Sequence, residues 1–84
     1  MRDLIENIDR LHTTELGAER VRKNIGLDMD TSDADVVVWC REMIVSPEAS
    51  IIRKGKNWYA RLDDVLITVN ATSSTIITAH RVGE

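Results

Sequence analysis

The sequence contains no phenylalanine, and Trp39, Trp58 and Tyr59 are its only aromatic residues. Isoleucine, leucine and valine must therefore form most of the core. Cys40 is the single cysteine, which excludes an intramolecular disulfide and a zinc site built from several cysteines. No apolar run is long enough to cross a membrane, and no secretory signal or lipidation motif is recognisable. We therefore expect a soluble, cytoplasmic protein without a membrane partner.

The length of 84 residues predicts one domain, residues 1–84, of modest stability, because a chain of this size buries roughly 60–65% of its unfolded surface. The net charge of −3 is unevenly distributed. Residues 49–61 contain no acidic residue and four basic ones: Arg53, Lys54, Lys56 and Arg61. A basic segment of this kind favours contact with an anion, whereas the acidic chain as a whole is not a general nucleic-acid coat.

Apolar spacing and capping residues predict three helices. Residues 2–11 place Leu4, Ile5, Ile8 and Leu11 on one stripe. A second helix is expected after a cap at Thr13 or Thr14, with Gly26 as its stop. A third is expected to start at Ser32 and to end before Ser46 and Pro47.

Period-two alternation predicts strands in the rest of the chain, over residues 49–53, 58–62, 65–70 and 75–81. The fold class is therefore α+β, with three N-terminal helices packed on a C-terminal four-strand antiparallel meander. The apolar set that should face the helices includes Val65, Ile67, Val69, Ile77 and Ala79. The opposite, open face should carry Tyr59, Arg61, Thr68, Asn70, Thr78 and His80.

The residue pattern indicates neither a metal site nor a reactive thiol. Residues 28–33 start like a calcium loop, but Asp33 stands where such a loop needs glycine. Cys40 lies on an apolar helical stripe, which is typical of a buried structural thiol. His12, at a helix junction, is expected to contact a backbone group. We expect no metal and no cofactor.

The basic segment and the polar sheet face together suggest an anion or phosphodiester site. Its catalytic residues would be His80, Tyr59 and Arg61, with His80 moving a proton near neutral pH. The substrate-binding residues would be Arg53, Lys54, Lys56, Trp58, Thr68, Asn70 and Thr78, with cations on phosphate and an aromatic ring on a base. The alternative is that the lysines only solubilise a turn and His80 only ends the last strand.

Three motifs, RKGKNWY at residues 53–59, ITVNA at 67–71 and TIITAH at 75–80, resemble a small bacterial family of domains of unknown function. The resemblance covers nearly the whole chain and implies no assigned activity. The family pattern favours tyrosine where this chain has Ser74.

By architecture alone, helices followed by an antiparallel meander resemble the barnase, colicin and RelE-like ribonuclease superfamily. That resemblance implies a metal-independent, toxin-type domain that binds or cleaves RNA, although fold by itself does not determine function. The alternative hypothesis is a non-catalytic module that uses the open sheet face or an edge to bind a cognate protein, such as an antitoxin.

Overall fold

The computed structural model describes residues 4–82. A short 3-10 helix, Ile8–Arg10, comes first, followed by two α-helices and five strands. In chain order these are β1 His12–Thr13, α1 Glu15–Ile25, α2 Asp33–Ile44, β2 Ser50–Lys54, β3 Asn57–Leu62, β4 Val65–Asn70 and β5 Thr75–Arg81. Neither α-helix is long and apolar enough to cross a membrane within this part of the chain.

The five strands form one mixed sheet in the order β1-β5-β4-β3-β2. Strands β2 to β5 form the predicted antiparallel meander. Strand β1 adds to it in parallel, with His12 opposite Thr75 and Thr13 opposite Ile76. The α+β class is confirmed, but the arrangement of three helices on a four-strand antiparallel sheet is wrong. Two residues are too few to show a period of two, so the sequence pattern did not reveal β1.

The predicted first helix over residues 2–11 is also wrong; its first two residues lie outside the described part of the chain. Residues 4–10 form turns and the 3-10 helix. Leu4 and Leu11 are buried, but Ile5, which the helical stripe would bury, is 47% exposed. A ten-residue segment is too short to be a stable helix by itself, so its apolar stripe alone did not ensure a helix.

The second and third predicted helices are confirmed as α1 and α2. The Thr14 hydroxyl accepts the Gly17 amide at 3.0 Å, and the Ser32 hydroxyl accepts the Asp35 amide at 3.0 Å. Each bond satisfies an amide that the first turn of a helix leaves unpaired. Helix α1 ends at Gly26, whose φ of 90° is the left-handed conformation that glycine adopts without strain.

Both helices pack on one face of the sheet. Their buried residues, including Val21, Val36 and Cys40, belong to the same apolar cluster as Ile67 and Ala79 from the sheet. The register between β4 and β5 shifts at Thr68 and Val69, so that Val69 lies opposite Ile76. Ile76 is therefore buried in the core, and Ile77, predicted for that place, is only half-buried. A bulge of this kind reverses the facing of the residues on one side of it.

Candidate functional site

The strand register identifies the side chains of the open face, because residues directly opposite each other in a sheet point to the same side. One cross-strand row consists of Ile52, Tyr59, Thr68 and Thr78. The next consists of Ser50, Arg61, Leu66 and His80. At the other end, Lys54, Asn57 and Asn70 are opposite one another. All six polar residues predicted for the open face therefore lie in these rows.

A shallow groove of about 580 Å³ crosses three of these strands. Its walls include Ser50, Ile52 and Lys54 from β2, Tyr59 and Arg61 from β3, and Leu66 from β4. The groove combines two cationic side chains, one aromatic ring and an apolar floor. Among the described residues, 4–82, none that lines the groove is acidic. Three of the predicted site residues, Lys54, Tyr59 and Arg61, thus come together in one place.

Arg53 and Trp58 lie on the other side of the sheet. They are opposite each other, and Trp58 is opposite Val69 of the core. The Arg53 guanidinium stacks 5.5 Å from the centre of the Trp58 ring and donates through Nε to the Gly55 carbonyl at 3.0 Å. Lys56 is exposed in the β2–β3 turn and does not line the groove. The structure therefore does not bring these three residues to the groove.

Three further predicted contact residues are taken up by the fold itself, two of them through hydrogen bonds and one through burial. Asn70 Oδ1 accepts the amides of Thr72 and Ser73, each at 3.0 Å, and so caps the turn after β4. Thr78 accepts a hydrogen bond from Asn24 of α1 at 3.3 Å. Thr68 is only 8% exposed and offers a ligand little surface. These bonds give Asn70 and Thr78 a role in the fold itself.

His80 lies beside the groove rather than in it. It is opposite Leu66, and Leu66 is opposite Arg61, so two strand spacings, about 10 Å, separate the His80 and Arg61 backbones. The His80 ring makes no hydrogen bond to a protein group within residues 4–82. Arg61 itself donates through Nε to the Asp63 carbonyl at 3.2 Å.

A polar cluster that the sequence pattern missed lies where β1 meets the β4–β5 turn. His12 Nδ1 lies 2.9 Å from the Arg10 carbonyl oxygen, which confirms the predicted backbone contact. Its Nε2 lies 3.0 Å from Thr75 Oγ1, which lies 2.6 Å from Ser73 Oγ. The His12 amide also donates to the carbonyl of Ser74, which is buried with a φ of 60°. Because His12 and Thr75 are 63 residues apart and meet only through parallel pairing, no local signal indicated this cluster.

Cys40 shows no sign of reactivity. It is fully buried, and this burial raises the pKa of the Cys40 thiol to about 12, so the thiol stays protonated near neutral pH. No group of three or more metal-binding side chains comes together in residues 4–82.

The fold and the groove define a small α+β domain with cationic and aromatic side chains on its open sheet face. The chain belongs to the family described as Protein of unknown function (DUF3781), whose model matches residues 5–80. The resemblance to a family of unknown function over nearly the whole chain is therefore confirmed. Comparisons with curated proteins and with solved structures gave no significant match, and the resemblance to the barnase, colicin and RelE-like superfamily finds no support in them.

Proposed function

We propose that this domain binds single-stranded RNA in the groove of its open face and cleaves it without a metal ion. The observation that carries the proposal is the convergence of Lys54, Tyr59 and Arg61 on one groove of about 580 Å³. Cations bind the phosphodiester backbone, and an aromatic ring stacks on a base whatever its identity. A single strand suits an open groove, since its bases are free to stack on the protein.

Cleavage needs a group that moves a proton from the ribose 2′-hydroxyl, and histidine does this near neutral pH. The chain has two histidines, and both have register partners on the open face: His80 opposite Leu66 and His12 opposite Thr75. The product of such a reaction is a 2′,3′-cyclic phosphate.

The salt dependence of binding tests the groove directly. Two cations that contact phosphate predict a slope of log K against log salt of about −1.4, because each contact with a single strand contributes about −0.7. We expect a fluorescein-labelled, unstructured RNA to bind with this slope, measured by anisotropy between 50 and 300 mM salt.

The arginines supply a matched pair of variants. Arg61→Ala should weaken binding about tenfold, the order expected for one lost charge-assisted bond, and should make the slope shallower by about 0.7. Arg53→Ala removes the same charge from the other face and should leave binding within about twofold. Tyr59→Leu should weaken binding with an unchanged slope, since stacking releases no counterions. If Arg53→Ala and Arg61→Ala weaken binding equally, the groove is not the RNA site.

A second candidate function is a protein-interaction module, and strand β2 favours it. Strand β2 is an edge of the sheet, so one side of its backbone lacks a strand partner within the described residues, and Ile52 is 58% exposed. Such an edge accepts an added strand from a partner, for example a cognate antitoxin. Growth arrest on expression that Arg61→Ala relieves would favour RNA cleavage. A purified partner that binds Ile52→Lys more weakly than the wild type, but binds Arg61→Ala equally well, would favour the interaction module.

A further inference from the structure

The hydrogen-bonded chain that runs from His12 through Thr75 to Ser73 lies on the same sheet face as the groove. We propose that these three residues form a proton relay for RNA cleavage, with the His12 imidazole as the base and the exposed Ser73 hydroxyl as the end that meets the substrate. This inference rests on the proposed function, because it assigns the proton transfer of the same reaction.

The hydrogen bonds determine which nitrogen of His12 acts as the base. A carbonyl oxygen only accepts, so the 2.9 Å contact with Arg10 requires the proton on Nδ1. In the neutral ring, Nε2 therefore has a free lone pair, and the Thr75 hydroxyl 3.0 Å away donates to it. His12 as the base, the Arg10 carbonyl that orients its ring and the Thr75 hydroxyl are then arranged as in sites that activate a hydroxyl.

The second link of the chain is the 2.6 Å contact between Thr75 Oγ1 and Ser73 Oγ. With the Thr75 proton directed to His12, Thr75 accepts from Ser73. Ser73 Oγ also lies 3.1 Å from Asn70 Oδ1, which keeps two backbone amide donors when Ser73 turns its proton to Thr75. Ser73 can therefore change its partner without leaving a polar atom of the turn unpaired.

The register places this chain in line with the groove. Ile76 points into the core, so its neighbour Thr75 and the opposite residue His12 point to the open side. From there the polar row continues through Asn70 and Asn57 to Lys54 at the groove. Four strand spacings, about 19 Å, separate β1 from β2, which an oligonucleotide of a few nucleotides can span.

The proposed relay moves one proton from the RNA to His12. The 2′-hydroxyl proton passes to Ser73, the Ser73 proton to Thr75, and the Thr75 proton to Nε2 of His12. The 2′-oxygen bonds to phosphorus, and the bond from phosphorus to the 5′-oxygen breaks with its electron pair on that oxygen. Water protonates the 5′-oxygen, and the hydroxide that remains takes the extra proton from His12.

The experiment measures binding and cleavage of one labelled RNA by the wild type and four variants, with EDTA present and with DNA of the same sequence as a second probe. His12→Gly should lower the cleavage rate about a hundredfold, the usual contribution of a general base, with binding unchanged within about twofold. Thr75→Val and Ser73→Ala break the relay and should lower the rate by a similar factor. His80→Ala replaces the other histidine and shows which of the two carries the proton transfer, and the DNA should bind without being cleaved.

A purely structural role for His12 is excluded by a rescue measurement. Imidazole added at tens of millimolar should restore part of the activity of His12→Gly and none of that of Thr75→Val, whose relay stays broken. Thermal unfolding identifies any variant that fails to fold, and Ser73→Ala, on the exposed turn, tests the relay even if His12→Gly unfolds.

The outcomes separate the two proposals. If the wild type does not bind RNA, the proposed function fails and the relay fails with it. Binding without cleavage overturns the relay and the cleavage part of the proposed function, and leaves an RNA-binding domain. Cleavage that survives His12→Gly and Ser73→Ala but is lost in His80→Ala overturns the relay alone and assigns proton transfer to His80.

Discussion

Replacing Gly17 by alanine should destabilise this protein, although the same change inside an ordinary helix stabilises it by about 1 kcal/mol. Gly17 lies in the first turns of α1, where the helix approaches β5. A Cβ atom there would lie 2.7 Å from Thr13 Oγ1 and 2.8 Å from the Ile76 carbonyl oxygen. Both distances are shorter than real contacts, and the carbonyl belongs to a strand paired on both sides.

Overpacking of this kind costs about 1–3 kcal/mol, and the capping hydroxyl of Thr14, at 3.2 Å from the new atom, must shift as well. After the helix-propensity gain of about 1 kcal/mol, we expect a net loss of about 1 kcal/mol, which lowers the melting temperature of a domain this small by about 6 °C. Urea unfolding of the wild type and of Gly17→Ala measures the loss.

Gly26→Ala is the matched control. No atom lies within 4 Å of its new Cβ, but φ is 90°, so it should lose about 1 kcal/mol through backbone strain alone. Only Gly17→Ala should speed hydrogen exchange at the His12 amide, whose acceptor is the Ser74 carbonyl beside the clash. A gain in stability for Gly17→Ala would refute the close approach of α1 to β5.

Three further predictions concern the helices. Burial raises the Cys40 pKa to about 12, whereas the thiol of the unfolded chain ionises near 9. Between pH 9 and 12, the free energy of unfolding of the wild type should therefore fall by about 1.4 kcal/mol per pH unit more than that of Cys40→Ala. Equal slopes for the two proteins in parallel urea titrations would contradict this. Ser32→Ala should cost about 1 kcal/mol by removing the α2 cap, measured by thermal unfolding. Arg22→Met should cost about 2 kcal/mol, because the 13% exposed Arg22 side chain donates to the Thr31 carbonyl and to Asp33. Asp33→Asn should cost clearly less than Arg22→Met, since Asp33 is half exposed. Equal losses for the two variants would mean that the ion pair with Asp33, rather than the bond to the Thr31 carbonyl, gives most of the Arg22 contribution.

Local sequence patterns predicted the parts of the fold that neighbouring residues decide. Thr14, Ser32 and Gly26 mark helix ends because their side chains or backbone angles satisfy groups within the same turn. The alternation in β3 and β4 likewise placed Tyr59 and Arg61 opposite the core, since a strand that slipped by one residue would bury an arginine.

The structure brings only some of the predicted site residues together in the groove. Lys54 and Arg61 meet in the groove because the hairpin register places their strands side by side. Arg53, next to Lys54 in the chain, points to the other face and stacks on Trp58. A count of basic residues in one segment does not distinguish the two faces, because a strand sends successive side chains to opposite sides.

The sequence by itself determined the α+β class, both α-helices, the meander and the polar character of its open face, because periodicity and capping are properties of short stretches. Only the tertiary structure decided the parallel pairing of β1 with β5, the burial of Ile76 in place of Ile77, and the contact between His12 and Thr75. The β1 pairing and the His12–Thr75 contact join residues 63 apart in the chain, whereas the burial of Ile76 follows a register shift between β4 and β5 that the alternation of one strand does not show. The cluster of His12, Thr75 and Ser73 therefore forms only in the folded sheet, whereas the groove follows from the hairpin register of β2, β3 and β4.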